Sequence, residues 1–154
     1  MLAKIIRSVF ITLSVVAMLF CPALALTPTA TIGDSNVVKL EIASTPEEIE
    51  RGLMYRTSLA EGSGMVFLFN PPRAVKFWMY HTLIPLDMCF IDNGRIVKIF
   101  ENVPPCHSED PRGCVTYPEE DPGIYVTEVI ELPGGYAKKH GIKKGDKVTF
   151  ALGK

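Results

Sequence analysis

Leu86-Asp87-Met88-Cys89-Phe90-Ile91, then Asp92-Asn93-Gly94, then Arg95-Ile96-Val97-Lys98-Ile99-Phe100 read as strand, tight turn and strand. Asn-Gly suits the positive-φ positions of a tight hairpin turn, so the flanking apolar runs pair as antiparallel strands. The second strand extends to Val103. Ile96-Val97-Lys98-Ile99-Phe100 has apolar groups on both sides, which implies that both faces of the sheet are covered.

Outward from the hairpin the same signals recur. Val37 to Ala43 alternates, with Val38, Leu40 and Ile42 on one side, as a half-buried strand does. Gly64 to Phe69, Val75 to Tyr80, Gly123 to Leu132 and Lys147 to Leu152 read as further strands. Asn70-Pro71-Pro72-Arg73 reads as a turn, because prolines cannot donate to a ladder. Thr45-Pro46-Glu47-Glu48 opens a helix: Thr45 caps it, Pro46 takes the first position, and Glu48 closes a capping box. That helix is expected from Pro46 to about Tyr55, with Ile49, Leu53 and Met54 toward the core. Gly135 to His140 forms a second short helix closed by Gly141. The expected fold class is mainly β (α+β), an antiparallel sheet curled into a small barrel or a two-layer sandwich, with two short helices.

The chain has 154 residues, enough for one ordinary domain. Lys4 and Arg7 precede an uncharged run from Val9 to Cys21, and Pro22 leads into Ala23-Leu24-Ala25. That order matches a secretory signal peptide over residues 1–25, and the run falls short of the roughly 20 residues of a membrane helix. Residues 26–36 read as a flexible lead-in and 37–154 as a single β-rich domain. The expected location is periplasmic or secreted, and the alternative is an uncleaved N-terminal membrane anchor. Removing the leader takes two bases and no acid, so no basic surplus points to nucleic acid. No stable membrane insertion is expected after cleavage.

The cysteines agree with export. Cys106 and Cys114 flank a Pro-rich polar loop, and in an oxidising compartment they are expected to form a disulfide. Cys89 sits in an apolar strand, where a free thiol behaves as a small apolar group.

Three constellations carry candidate chemistry. Trp78-Met79-Tyr80-His81 brings an aromatic contact residue, Trp78, beside soft donors. Met79, His81 and His107 together suit copper, although methionines in strands ordinarily fill core gaps. Asp87 enters an apolar strand and needs partners. Arg51 or Arg56 on the capped helix supplies them, either as a helix-to-sheet bridge or as an acid–base site with an anion-binding arginine. Cys106 beside His107 is a weak thiolate candidate, because a disulfide would consume the thiol. There is no H-E-x-x-H, P-loop or G-x-G-x-x-G.

Arg51-Gly52-Leu53-Met54-Tyr55-Arg56, Gly64-Met65-Val66-Phe67, Phe77-Trp78-Met79 with Thr82, and Ile84-Pro85-Leu86-Asp87 with Phe90-Ile91-Asp92 resemble the signature of domain-of-unknown-function family 192. Val129 through Gly135 and Gly141 through Asp146 continue the likeness, which covers roughly Val37 to Leu152. The resemblance implies a single, mostly β domain, often exported, with no settled activity. The family usually has a base after Met79 and then Asn, where this chain has Tyr80 and His81. Gly141 to Val148 also resembles the turn-and-strand box of several small barrels.

The leading expectation is an exported, non-enzymatic domain that binds a small ligand or an envelope partner where the capped helix, the Trp78 turn and the Cys106 loop converge. Its candidate residues are Arg51, Arg56, Trp78, Met79, His81 and Asp87, with no cofactor expected. The alternatives are an enzyme, hydrolase-like or other, using Asp87 with Arg51 or Arg56, and copper handling through Met79, His81 and His107.

Overall fold

The computed structural model describes residues 27–120 and 122–153. The signal-peptide expectation, residues 1–25, lies outside them. In chain order the elements are β1 (Thr29–Ile32), β2 (Asn36–Ala43), α1 (Pro46–Arg51), β3 (Ser63–Val75), β4 (Phe77–Trp78), β5 (Leu86–Asp92) and β6 (Arg95–Val103). A 3-10 turn (Pro111–Gly113), β7 (Thr116–Tyr117), β8 (Ile124–Pro133), α2 (Tyr136–Lys139) and β9 (Val148–Ala151) follow.

Seven strands form one sheet in the order β6-β5-β8-β3-β2-β1-β9, curled into a half-barrel, while β4 and β7 form a separate ribbon. The hairpin β5–β6 forms as read, with Asn93 and Gly94 both at positive φ. Every pair of the large sheet is antiparallel except β2–β3, which runs parallel from Lys39↔Ser63 to Ala43↔Phe67. A parallel pair needs a crossover, and α1 with the chain after it supplies one. The two edges of the sheet touch at the hairpin tip, where Arg95 bridges Lys147 and the Val148 N–H donates to the Gly94 carbonyl at 2.8 Å.

Both faces are buried. One cluster holds Ala30, Leu40, Val66, Cys89 and Ile130 and reaches both edge strands through Ile96 and Val148, with Tyr136 and Ala137 of α2 packed on it. The opposite face carries Met65, Phe67, Phe77, Met88, Phe90 and Val129, covered by Leu53 beyond α1 and by the β4–β7 ribbon. Phe77 stands edge-on to both Phe67 and Phe90, at 4.9 and 5.7 Å between centroids, a favoured aromatic geometry.

Several boundaries differ from the sequence reading, each for a physical reason. Part of the lead-in is a strand: Ala30 and Ile32 alternate into the core while β1 bonds both β2 and β9. α1 stops at Arg51 rather than near Tyr55, because Gly52 takes φ 44° as its N–H closes on the Glu48 carbonyl. A Cβ at Gly52 would lie 3.2 Å from the Phe67 ring. β3 continues past the prolines: Leu68 pairs Glu128 and Arg73 next pairs Val126, so Pro71 and Pro72 are carried out of the ladder in a bulge. The strand expected from Val75 to Tyr80 is split between the end of β3 and β4. The long loop after Val103 is not wholly irregular, since its β7 pairs with β4. Within it Cys106 and Cys114 form a disulfide with S–S 2.04 Å, and Cys89 is free and buried.

Candidate ligand-binding cleft

The structure separates the residues singled out from sequence. Asp87 is fully buried, and its partners are backbone groups, not arginines. Its Oδ1 accepts N–H bonds from Asn102 (2.6 Å) and Gly135 (2.8 Å), and its Oδ2 accepts from Ala137 (2.6 Å). β6 bulges opposite Asp87, where Asn102 takes φ 49°, and the carboxylate replaces the ladder partner lost there. Gly135 at φ 82° leads into α2, so the same carboxylate anchors that helix's first turn. The expected Asp87–arginine bridge is therefore corrected: Arg56 instead makes a two-pronged pair with Glu41 at 2.5 and 2.6 Å.

The other candidates fall into adjoining hollows. Met79 is buried and lines one hollow with His107, whereas His81 lines another with Tyr55, Tyr80 and Trp78. Met79, His81 and His107 do not converge on one hollow. Among the described residues, no three His, Cys, Asp or Glu side chains group in a way that would hold a metal. Arg51 and Trp78 do meet, in a cleft between α1 and β3.

α1 is set over the sheet by its cap. Thr45 Oγ1 accepts the Glu48 N–H at 3.2 Å, while Glu48 Oε2 accepts N–H bonds from Ser44 at 2.9 Å and Thr45 at 3.0 Å. Those bonds, Ser44's foremost, hold the Glu48 carboxyl below its usual range. Beneath the end of α1 lies a cavity of about 360 Å³. Its apolar wall comes from Leu53, Phe67, Phe69 and Phe77, and Arg51, Arg73 and Trp78 also line it.

Glu131 also lines this cavity. It lies on β8, paired with Met65 of β3 and Met88 of β5, so its side chain rises between two buried methionines. It is 4% exposed and has no hydrogen-bond partner among the described residues. Among the described residues no fully enclosed side-chain N or O atom is left unpartnered, so the Glu131 oxygens open onto the cavity that the residue lines. Burial pushes its carboxyl up to about 8 from 4.5.

A shallower aromatic hollow continues the cleft, sharing Glu50, Arg51, Met54 and Trp78 with the cavity. Tyr55 and His81 both take left-handed backbone, at φ 64° and 54°, and the Tyr55 N–H donates to the His81 carbonyl at 2.8 Å. Their rings stack at 4.8 Å, and Tyr80 lies 3.8 Å from His81 on the other contact. Non-glycine residues pay for that backbone, and such strain clusters at ligand clamps and active sites.

Sequence reasoning passed over Glu131. The available signal was an acid inside the apolar run Val129-Ile130-Glu131-Leu132, on a strand later found to be central. The left-handed pair had no signal, since neither Tyr nor His advertises that conformation.

This curled sheet with its α1 cleft belongs to a known family. The family's profile matches residues 28–150, and the chain is a member of DUF192, described as "Uncharacterized ACR". No curated protein matches it. A crystal structure from Novosphingobium aromaticivorans DSM 12444, a protein of unknown function, is similar at 36% identity and TM-score 0.66, covering 79% of this chain and 83% of that one. Another, from Sinorhizobium meliloti 1021 and provisionally named a transcription regulator, is similar at 34% identity and TM-score 0.68, covering 82% and 95%.

Proposed function

We propose that this is an exported domain that binds a small molecule in the cleft between α1 and β3. One observation carries the binding: a buried carboxyl without a partner opens onto an aromatic-walled cavity. The protein gives that carboxyl no hydrogen-bond partner and sets it in an apolar wall, so a ligand's polar atom would supply the bond that is missing. The volume, about 360 Å³, lies in the range of small-ligand sites. Export is supported by the leader-like residues 1–25 and by the Cys106–Cys114 crosslink, which suits an oxidising compartment. Among the described residues no helix is long and apolar enough to cross a membrane.

The enzymatic alternative moves from Asp87 to Glu131, whose carboxyl titrates near the range a general acid needs. Thr82 is the one hydroxyl among the cavity's lining residues, and no imidazole or thiol accompanies it. Binding is the better-supported use. The transcription-regulator name of the Sinorhizobium protein finds little support here, because acids outnumber bases by 17 to 16.

Native mass spectrometry of the protein purified from the envelope tests both parts. The expected result is a chain lacking residues 1–25, two thiols blocked until reduction, and a small-molecule mass lost on denaturation. A full-length cytosolic chain with alkylatable Cys106 and Cys114 overturns export. A bare protein that responds to no small-molecule probe overturns binding.

A further inference from the structure

A buried glutamate ordinarily invites a cation, but the groups around this one argue for the reverse. The cavity's ionisable lining is Glu50 and Arg51 of α1, Arg73 of β3, Lys76 just beyond it, and Glu131 itself. Lys76 Nζ is engaged with the Glu119 carbonyl at 2.7 Å. Arg51 takes part in no ion pair among the described residues, and Arg73 lies over the Phe69 ring at 5.1 Å. A guanidinium over a ring keeps its N–H fork at the edge, free for an oxyanion. Across the sheet, Glu131 faces only Met65 and Met88. No base bonds it, so no ion pair offsets the cost of ionising it in that wall.

On the reading that this cleft holds a small molecule, we propose that the ligand is an organic anion with an apolar, ring-sized body. Its acidic head pairs with Arg51 and Arg73, its body lies against Phe67, Phe77 and Trp78, and an uncharged Glu131 gives its O–H to a ligand oxygen. An amine would meet two guanidinium groups and would have to ionise Glu131 inside an apolar wall. Deprotonating Glu131 replaces a donor with a like charge, so anion affinity falls as pH rises through about 8.

The test is a charge series on one body: 3-phenylpropionate, 3-phenylpropanol and 3-phenylpropylamine, titrated into the purified protein by NMR at pH 7 and pH 9. The acid is expected to bind tightest at pH 7, by about tenfold over the amine. It should lose about tenfold by pH 9, following the protonated fraction of a group that titrates near 8. Glu131→Gln keeps a neutral donor, so it binds the acid with that pH dependence removed. Arg51→Ala, on an exposed residue, weakens the acid and narrows its lead over the alcohol. An amine that binds as tightly as the acid, or an acid that gains affinity toward pH 9, overturns the anion assignment and leaves the binding cleft standing. If none of the three perturbs the residues lining the cavity at millimolar concentration, both the assignment and the cleft reading fall.

Discussion

Asp87 and Glu131 are both buried acids on neighbouring strands of the same sheet. Asp87 pairs with Leu132, and Glu131 pairs with Met88, so the two sit one register row apart. Adjacent rows point to opposite faces. On one face the carboxylate gathers three backbone N–H groups from two distant segments. On the other the carboxyl stands between methionines and opens onto a cavity. Burial is common to both, so burial does not mark a site. The number of partners the protein itself provides does. Asp87 has a complete set and serves the fold, whereas Glu131 has none and is left for something else to bind.

The largest effect expected from this contrast is at Asp87. Replacing it with Ala strands three N–H groups and frees both the β6 bulge and the first turn of α2. Bonds to a charged acceptor contribute about 1.5–3 kcal/mol each and are only partly additive, so a loss of about 4 kcal/mol in urea-induced unfolding is expected. A loss under 1 kcal/mol would show that Asp87 is as unsupported as Glu131, and the contrast would collapse.

Glu131 should behave in the opposite sense. Its folded-state carboxyl titrates near 8, above the 4.5 of its ordinary range. The folded chain therefore holds a proton that the unfolded chain has released throughout that window, and stability falls as pH rises across it. The penalty is absent below about 4.5 and complete above about 8. Glu131→Gln does not titrate, so the variant should gain about 2 kcal/mol relative to the parent between pH 5 and pH 6.5. Parallel stability curves for the two proteins would mean that Glu131 is not desolvated.

What was legible in the sequence follows from the range of the interactions. The hairpin at Asn93-Gly94, the capping box at Thr45 and the Cys106–Cys114 loop are local, and residues a few places apart announce them. The β4–β7 ribbon and the parallel β2–β3 pair depend on segments meeting across the chain: the stretch that holds β7 reads as loop, and local turn signals point to antiparallel neighbours throughout. Asp87 shows the same limit within the site. Its need for partners was visible, but they are backbone groups 48 and 50 residues away at Gly135 and Ala137, and a backbone N–H has no sequence signature. Arg51 and Trp78 reached the cleft because the helix cap and the aromatic turn were both local features. Glu131 broke the apolar run of β8, yet only the flanking strands reveal which side of the sheet it faces.

The smallest effect concerns the roof of the cavity. Thr45 lies in α1's cap, far in role from Asp87, and α1 closes the hollow that Glu131 faces. Thr45→Ala removes one side of the capping box and should cost about 1 kcal/mol of stability. Fraying α1 admits water to the cavity, so the Glu131 carboxyl, followed by carbon-13 NMR, should titrate at a lower pH than in the parent. Asp87's three N–H bonds lie on the other face, and amide exchange at Asn102, Gly135 and Ala137 should slow or quicken only as global stability does. If Glu131 titrates unchanged while α1 frays, its environment is set by Met65 and Met88 alone, and the roof has no part in holding it neutral.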